Sequence, residues 1–154
     1  MEMRRGMNIR LFSLTTIVLA LGVTALFAAE KKIQAKDLPP AVQKAVQEET
    51  TGATIKGYSQ EVENGKTMYE VETTVNGHSR DLLFDATGTL AEAEEAIGID
   101  AVPAAVKSAL EARGKVLTVE TVTKGKTVTY EAQVQKNGKK SEVAVDATGK
   151  PVKS

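Results

Sequence analysis

The sequence of 154 residues has no cysteine, no tryptophan and a single histidine. Without thiols the chain forms no disulfide, and it cannot be anchored as a lipoprotein through a lipidated cysteine. The same scarcity leaves no usual ligand set for zinc or iron, so we expect no metal site and no cofactor. The fold must therefore rest on its hydrophobic core alone.

The charge of the chain has no excess of either sign. It has 20 Lys and Arg residues against 20 Asp and Glu residues, so the formal net charge is zero. A nucleic-acid-binding domain carries a basic patch or stripe, and none is visible here. We therefore exclude nucleic acid as a partner. The hydrophobic share of 42% is typical of a folded globular chain.

The N-terminus has the pattern of an export signal. An apolar run from Leu11 to Ala29 follows Arg4, Arg5 and Arg10. A basic start, an apolar centre and small residues at the end predict a signal peptide over residues 1–29 and a bacterial protein that is periplasmic or secreted. The run is also long enough to span a bilayer, which takes ~20 residues. An uncleaved anchor is thus the alternative, and it would be the chain's contact with a membrane.

The rest of the chain repeats itself. Tyr130 follows Tyr69 and Asp146 follows Asp85 by the same 61 positions (130 − 69 and 146 − 85). The segment "DATG" ends both copies. This duplication predicts two tandem repeats, over residues 36–97 and 98–154.

Each repeat is predicted to begin with a helix and to continue in strands. Asp37 and Asp100 are the predicted N-caps, and apolar residues then recur at helical spacing. After each helix the period changes to two, and Asn-Gly pairs predict β-hairpins. The segment "TLAEAEEAI" predicts a further strand that reaches the second repeat. The predicted fold class is α+β: two tandem repeats, each with one helix packed on a three- to four-stranded antiparallel sheet. The helix stripes are Val42, Ala45 and Val46, and Val106, Ala109 and Leu110.

Strand alternation predicts which side chains face solvent. Tyr69 and Tyr130 are expected to face the core. Their neighbours then form a polar outer face of the sheet, as is common in antiparallel sheets. We take four residues of this face as candidate contacts for a partner: Glu70, Glu72, Thr129 and Glu131.

The two DATG segments admit three interpretations. Two aspartates from two halves suggest an acid protease dyad, but the Asp-Thr/Ser-Gly motif is absent. A cation loop would use Asp85, Thr87, Glu92 and Glu94, yet the second copy lacks the downstream acids. A tight turn, with Asp bonding the backbone ahead of it and Gly at positive φ, accounts for both copies. We favour the turn.

The single histidine offers no catalytic pair. His78 and Ser79 are adjacent in a predicted strand, and adjacent side chains in a strand point to opposite faces. We therefore assign no catalytic residue and predict that the protein is not an enzyme.

The helix segments "LPPAVQKAV" and "VPAAVKSAL", the Tyr-Glu strand, the Asn-Gly hairpin and the D-x-x-G turn resemble the PepSY-like family, which is also described as beta-lactamase-inhibitor-protein-like. The resemblance covers roughly residues 36–154. It implies an extracytoplasmic binding or inhibitory module, with an unidentified protein partner such as an extracytoplasmic peptidase or other hydrolase. Inhibition of a beta-lactamase is less expected, because binding hot spots favour Trp and Tyr and this chain has few aromatic residues.

Taken together, these features predict an exported, non-catalytic protein-binding or inhibitory module. The alternative is a structural or weakly cation-binding protein of the envelope. A hydrolase is the least favoured hypothesis.

Overall fold

The computed structural model describes residues 28–152, which form one antiparallel sheet of eight strands. The strands are hydrogen-bonded in chain order, from β1 at one edge to β8 at the other. Apart from Ala28 and Ala29, the predicted signal peptide lies outside the described residues. The strands are β1 (Ala28–Ile33), β2 (Thr54–Glu63), β3 (Lys66–Val75), β4 (His78–Asp85), β5 (Leu90–Ile97), β6 (Lys115–Lys124), β7 (Thr127–Lys136) and β8 (Lys139–Asp146).

The predicted fold class is wrong. Residues 28–152 are mostly β, with one continuous sheet and two short α-helices, rather than two α+β repeats that each have a helix on a sheet of their own. The physical reason is β5, which hydrogen-bonds to β4 along one edge and to β6 along the other. An unpaired strand edge exposes a row of N–H and C=O groups, and β5 satisfies these groups on both halves.

The order of elements nevertheless repeats along the chain. β1 precedes α1 (Pro40–Glu49) and three strands, and β5 precedes α2 (Ala104–Glu111) and three strands. Ile33 of β1 lies opposite Tyr58, and Ile97 of β5 lies opposite Val119. By element order β5 therefore begins the second half, as β1 begins the first. The division at residues 36–97 and 98–154 stays a prediction.

The Asn-Gly hairpins are confirmed. The asparagine and the glycine have positive φ at each of the three sites: 49° and 76° at Asn64-Gly65, 51° and 84° at Asn76-Gly77, and 52° and 76° at Asn137-Gly138. Two such residues in succession define a type I′ turn, whose twist matches that of the paired strands. The corresponding turn between β6 and β7 has Gly125 and Lys126 between the paired Lys124 and Thr127, and Gly125 is at φ 60°.

Both helices pack on the same side of the sheet through the predicted stripes. Val42 and Val46 are buried with Val71 and Phe84, and the corresponding residues of α2 are buried with Ala132 and Val145. Tyr69 and Tyr130 pack against these two clusters, as predicted. Among the described residues, no helix is both long and apolar enough to cross a membrane.

The predicted N-caps are wrong. The helices begin at Pro40 and Ala104, with prolines as N-caps, because 3₁₀ turns at Ala35–Asp37 and Ile99–Ala101 precede them. Asp37 accepts a hydrogen bond of 2.9 Å from the backbone N–H of Gln34 and so closes its own turn. Asp100 instead pairs with Lys107, with 2.6 Å between Oδ1 and Nζ.

The glycine of each DATG segment touches a helix. Gly88 has φ 84°, and a Cβ on it would lie 2.6 Å from the carbonyl oxygen of Ala41 in α1. Gly149 has φ 79°, and its Cβ would lie 2.5 Å from the carbonyl oxygen of Ala105 in α2. Both the backbone conformation and the close approach require glycine. These two turns thus hold the first turn of each helix against the sheet.

We predict that Gly88→Ala destabilises the protein more than Gly77→Ala. Gly77 has the same φ of 84°, but a Cβ on it would meet no neighbouring atom within 4 Å. Gly77→Ala should therefore lose about 1 kcal/mol from backbone strain alone. Gly88→Ala should lose about 2 kcal/mol more, because the neighbouring helix must move. Urea unfolding measures both losses, and equal losses would contradict the close contact with α1.

Candidate binding face of the sheet

The four predicted contact residues lie on one face of the sheet, away from the helices. Val71 is buried in the cluster beneath α1, so alternation along β3 turns Glu70 and Glu72 to the opposite side. Ala132 is buried in the cluster beneath α2, and Thr129 and Glu131 on β7 are likewise turned away.

Strand pairing links these residues in rows across the sheet. Glu72 lies opposite Asp81, and Asp81 lies opposite Glu94. The row continues from Glu94 to Val122 and from Val122 to Thr129. It therefore runs from β3 to β7, about 19 Å at ~4.8 Å per strand. Glu72 and Thr129 share a surface without touching each other.

A second row crosses the other half of this face. Glu120 lies directly opposite Glu131, with Ala96 and Ala144 on either side of the pair. Near the first row, Glu70 and Glu92 both lie opposite Leu83. We call the resulting surface the acidic face; its carboxylates are Glu61, Glu70, Glu72, Asp81, Glu92, Glu94, Glu120, Glu131 and Glu142.

The sequence-based prediction missed the centre of this surface. Asp81, Glu94 and Glu120 were not among the candidate contacts, although they connect the two halves. Alternation from the buried Leu82 would have assigned Asp81 to the outer side. The positions of Glu94 and Glu120 depend on the pairing of β5 with β6, which no local pattern encodes.

Apolar side chains form a floor between the carboxylates. Met68, Leu83, Val122 and Ala144 alternate with core residues and so belong to the acidic face, yet each is at most 9% exposed. Their neighbours across the strands are acidic: Leu83 lies between Glu70 and Glu92, and Val122 lies next to Glu94. The face therefore combines an apolar base with charged groups around it.

Crowding raises the pKa of the central carboxyl groups. Burial, and then the charges of Glu120 and Glu92, raise the pKa of Glu94 to about 8. Burial and then the charge of Glu72 raise the pKa of Asp81 to about 6, although hydrogen bonds act in the opposite direction. Burial disfavours the charged form, and neighbouring like charges add to that effect.

The pKa values of the outer carboxyl groups of this face are raised as well. Burial raises the pKa of Glu70 to about 7, against a hydrogen bond of 3.1 Å from the hydroxyl of Ser59 that lowers it. Burial and the neighbouring Glu142 raise the pKa of Glu131 to about 7. Burial also raises the pKa of Glu120. Several of these groups are therefore protonated near neutral pH.

Ion pairs offset little of this charge within the described residues. Lys124 pairs with Glu92, with 3.1 Å between Nζ and Oε2. Arg80, which pairs with Glu49 at 3.9 Å, lies on the helix side, because its neighbour Asp81 faces the acidic side. The acidic face is thus a surface of concentrated negative charge when its carboxyl groups ionise.

The DATG segments are turns, as we favoured. Oδ1 of Asp85 accepts hydrogen bonds from the backbone N–H of Thr87 at 2.8 Å and of Thr89 at 3.1 Å. The Thr87 hydroxyl donates to the same oxygen at 2.6 Å. Asp146 accepts the corresponding three bonds at 2.8, 3.1 and 2.6 Å. The hydrogen bonds from Thr87 lower the pKa of Asp85, and those from Thr148 lower the pKa of Asp146.

This arrangement does not bring together the groups that a dyad would need. Asp85 ends β4 and Asp146 ends β8, so three strands lie between them, and their separation is about 19 Å. Two carboxyl groups that share a proton lie in direct contact. Over residues 28–152, no three Asp, Glu or His side chains converge closely enough to hold a metal ion.

The chain belongs to the PepSY-like family, as its helix motifs suggested. The family model described as "Putative beta-lactamase-inhibitor-like, PepSY-like" matches residues 27–92 and 67–152. Together the two matches cover the whole eight-stranded sheet and both helices. No curated protein sequence matches the chain.

Solved structures from Bacteroides share the fold. A "putative periplasmic" protein of Bacteroides eggerthii is 22% identical with a TM-score of 0.63, covering 75% of this chain and 86% of its own. A BLIP-like protein of Bacteroides fragilis is 21% identical with a TM-score of 0.60, covering 75% and 84%. A DUF2874 family protein of Bacteroides uniformis is 21% identical with a TM-score of 0.62, covering 75% and 86%.

We predict that the protein is most stable near pH 5 and loses stability toward pH 8. The folded-state pKa of Glu94 lies at about 8 and those of Glu70 and Glu131 at about 7, all above the ordinary 4.5. Between pH 4.5 and pH 8 the folded state therefore binds more protons than the unfolded chain. The stability that these protonated groups contribute is lost as the pH rises through their folded-state pKa values. Below pH 4 the stability should fall again, because Asp85 and Asp146, whose pKa is lowered in the folded state, become protonated. The melting temperature should fall by about 5 °C or more from pH 5 to pH 8.

A matched pair of variants tests the origin of this dependence. Glu94→Gln keeps the shape of the side chain but removes the charge, so it should raise the melting temperature at pH 8 and flatten the pH profile. Glu95→Gln is the control, since Glu95 is exposed on the other face, opposite Arg80. If both variants shifted the melting temperature equally, crowding on the acidic face would not be the cause.

Proposed function

We propose that this protein is an exported, non-catalytic protein-binding module whose acidic face contacts a basic surface of its partner. The observation that carries the proposal is the set of carboxylates on the acidic face, which extends from Glu72 on β3 to Glu131 on β7 on the side of the sheet away from the helices. The apolar side chains of this face are themselves buried, so a partner would meet the charged groups, and complementary charge is what guides such an association.

The spread of the charged groups favours a protein over a small ion. The carboxylates of the acidic face are spread from β3 to β7, about 19 Å across the sheet, whereas a bound cation needs its ligands within one coordination shell. A basic protein surface can meet many carboxylates at once, and complementary charge increases the rate and the specificity of association. Family membership supports a binding or inhibitory role in general terms.

The location that we infer is the periplasm or the medium. The predicted signal peptide supports export, and the related protein of Bacteroides eggerthii carries a periplasmic description. In that compartment, the partner that the family resemblance suggests is a peptidase or another hydrolase. The described residues hold no aromatic cluster on the acidic face, so we expect charge rather than aromatic anchors to fix specificity.

Protonation of the acidic face gives the interaction a pH dependence. A basic partner stabilises the ionised carboxylates and therefore displaces protons from groups whose pKa lies at about 7 or 8, such as Glu70 and Glu94. Affinity should rise from pH 6 to pH 8 and should fall with added salt, because salt screens exposed charges. A partner held by apolar contacts alone would show neither trend.

Affinity capture with matched variants tests the proposal. The chain from residue 30 is immobilised and exposed to periplasmic extract, and bound proteins are identified by mass spectrometry. Glu72→Gln/Glu94→Gln/Glu131→Gln removes three charges from the acidic face, and Glu48→Gln/Glu95→Gln/Glu111→Gln removes three exposed charges elsewhere. We expect a basic protein to be recovered by the wild type and the control, and to bind the face variant at least about tenfold more weakly.

Two results would contradict this function. One is equal recovery of the same protein by the face variant and the control variant, with both variants shown to be folded by their urea unfolding. The other is a purified partner whose affinity does not respond to salt or to pH between 6 and 8.

A further inference from the structure

A groove on the helix side of the sheet is unrelated to the acidic face. It lies between the end of β1, the first 3₁₀ turn and the start of β2, and its volume is about 490 Å³. A smaller cavity of about 190 Å³ adjoins it along α1 and shares Ala35, Lys36, Ile55 and Tyr58 with it. We call the two together the α1 groove. The larger space is broadly open to solvent, and its volume alone falls in the range of small-molecule sites, about 300–1,000 Å³.

The floor of the α1 groove is apolar and partly open to solvent. Ile33 and Tyr58 lie opposite each other on β1 and β2, on the helix side of the sheet. Ile55 is one of the two large hydrophobic side chains that the described residues leave exposed, at 36%. An apolar side chain at the bottom of a concave surface is a place where burial by a ligand is favourable.

At the corresponding position in the second half of the chain, a large apolar side chain packs against the core. The second 3₁₀ turn follows the first by 64 positions (99 − 35), so Ile99 occupies the position of Ala35. Ile99 packs against the core cluster beneath α2 together with Val116, which corresponds to Ile55 at the displacement of 61 (116 − 55). The first half thus has a small side chain where the second half places a large one against its core.

The charge at the rim of the α1 groove also differs between the halves. Lys36 and Lys56 line the groove, and none of its described lining residues is acidic, in a chain with 20 acidic residues. Their counterparts in the second half are Asp100 and Leu117. The two lysines at the rim are therefore specific to the first half, as is the small side chain of Ala35.

We propose that the α1 groove binds a small amphiphilic anion, which is an apolar molecule that carries one acidic group. The apolar part would cover Ile55 and Tyr58, and the acidic group would meet the ammonium groups of Lys36 and Lys56. Apolar lining with a few polar groups that fix orientation is the general pattern of ligand sites. The open space beside Ala35 and the positive rim are the two observations that select this ligand class.

Two fluorescent probes that differ in one group test the proposal. Anilinonaphthalene sulfonate has an apolar ring system and one sulfonate, and N-phenylnaphthylamine has the same rings without the sulfonate. We expect the folded protein to bind the sulfonate at one site. Ala35→Ile, which copies the second half, should weaken that binding at least about tenfold, because the side chain occupies the space. Wild-type affinity in a folded Ala35→Ile variant would overturn the assignment of the site.

The lysines are tested by comparing the two probes. Lys36→Gln/Lys56→Gln should weaken the sulfonate about threefold to tenfold and leave the uncharged probe unchanged, since a partly exposed charge contributes modestly. Lys126→Gln, at the exposed turn between β6 and β7, is the control and should change neither. An equal effect of the double variant on both probes, or no effect on either, would overturn the preference for an anion. Absence of one-site binding to the wild type would overturn the proposal as a whole.

Discussion

The two rows of hydrogen bonds that β5 makes, one to β4 and one to β6, hold the molecule together as a single sheet. Without the second row, each half would expose a long strand edge, and the acidic face would be divided in two. β5 pairs with β4 of the first half and with β6 of the second half. The register of these two pairings therefore fixes which side chains from the two halves lie next to each other. The pKa of Glu94 rises first because this sheet buries it, and then because pairing brings the charges of Glu120 and other carboxylates near it.

The same constraint separates the two sides of the sheet. One side is covered by α1 and α2, whose first turns are held by the DATG turns through contacts that leave no room for a Cβ. The other side keeps its acidic side chains at a cost in stability, since like charges directly opposite each other are unfavourable. Among the described residues, the salt bridge from Lys124 to Glu92 relieves only part of that repulsion. Proteins tend to retain such unfavourable surfaces where binding uses them, and that reasoning supports a contact role for the acidic face.

Local patterns in the sequence predicted the local structure well. The Asn-Gly turns, the helix stripes and the outward orientation of Glu70 and Glu131 follow from backbone preferences and periodicity, which act over a few residues. The strand predicted over "TLAEAEEAI" is β5, and it does reach the second half. Its register with β6, which gives Glu94 its central position, depends on pairing between strands that are distant along the chain. The misplaced helix starts have a local cause as well: Asp37 and Asp100 belong to 3₁₀ turns that resemble helix caps in sequence. The α1 groove depends on the packing around Ala35, a small residue at the position where the second half has Ile99 against its core.

The central claim is that strand pairing crowds these carboxyl groups into one partly desolvated surface. A carbon-13 NMR titration of the glutamate carboxyl carbons tests it most directly, because each group reports its own protonation. The predicted result is that Glu94 titrates at about pH 8 and that Glu70 and Glu131 titrate at about pH 7. Titration of all three in the ordinary glutamate range, at about pH 4.3, would contradict the crowded acidic face.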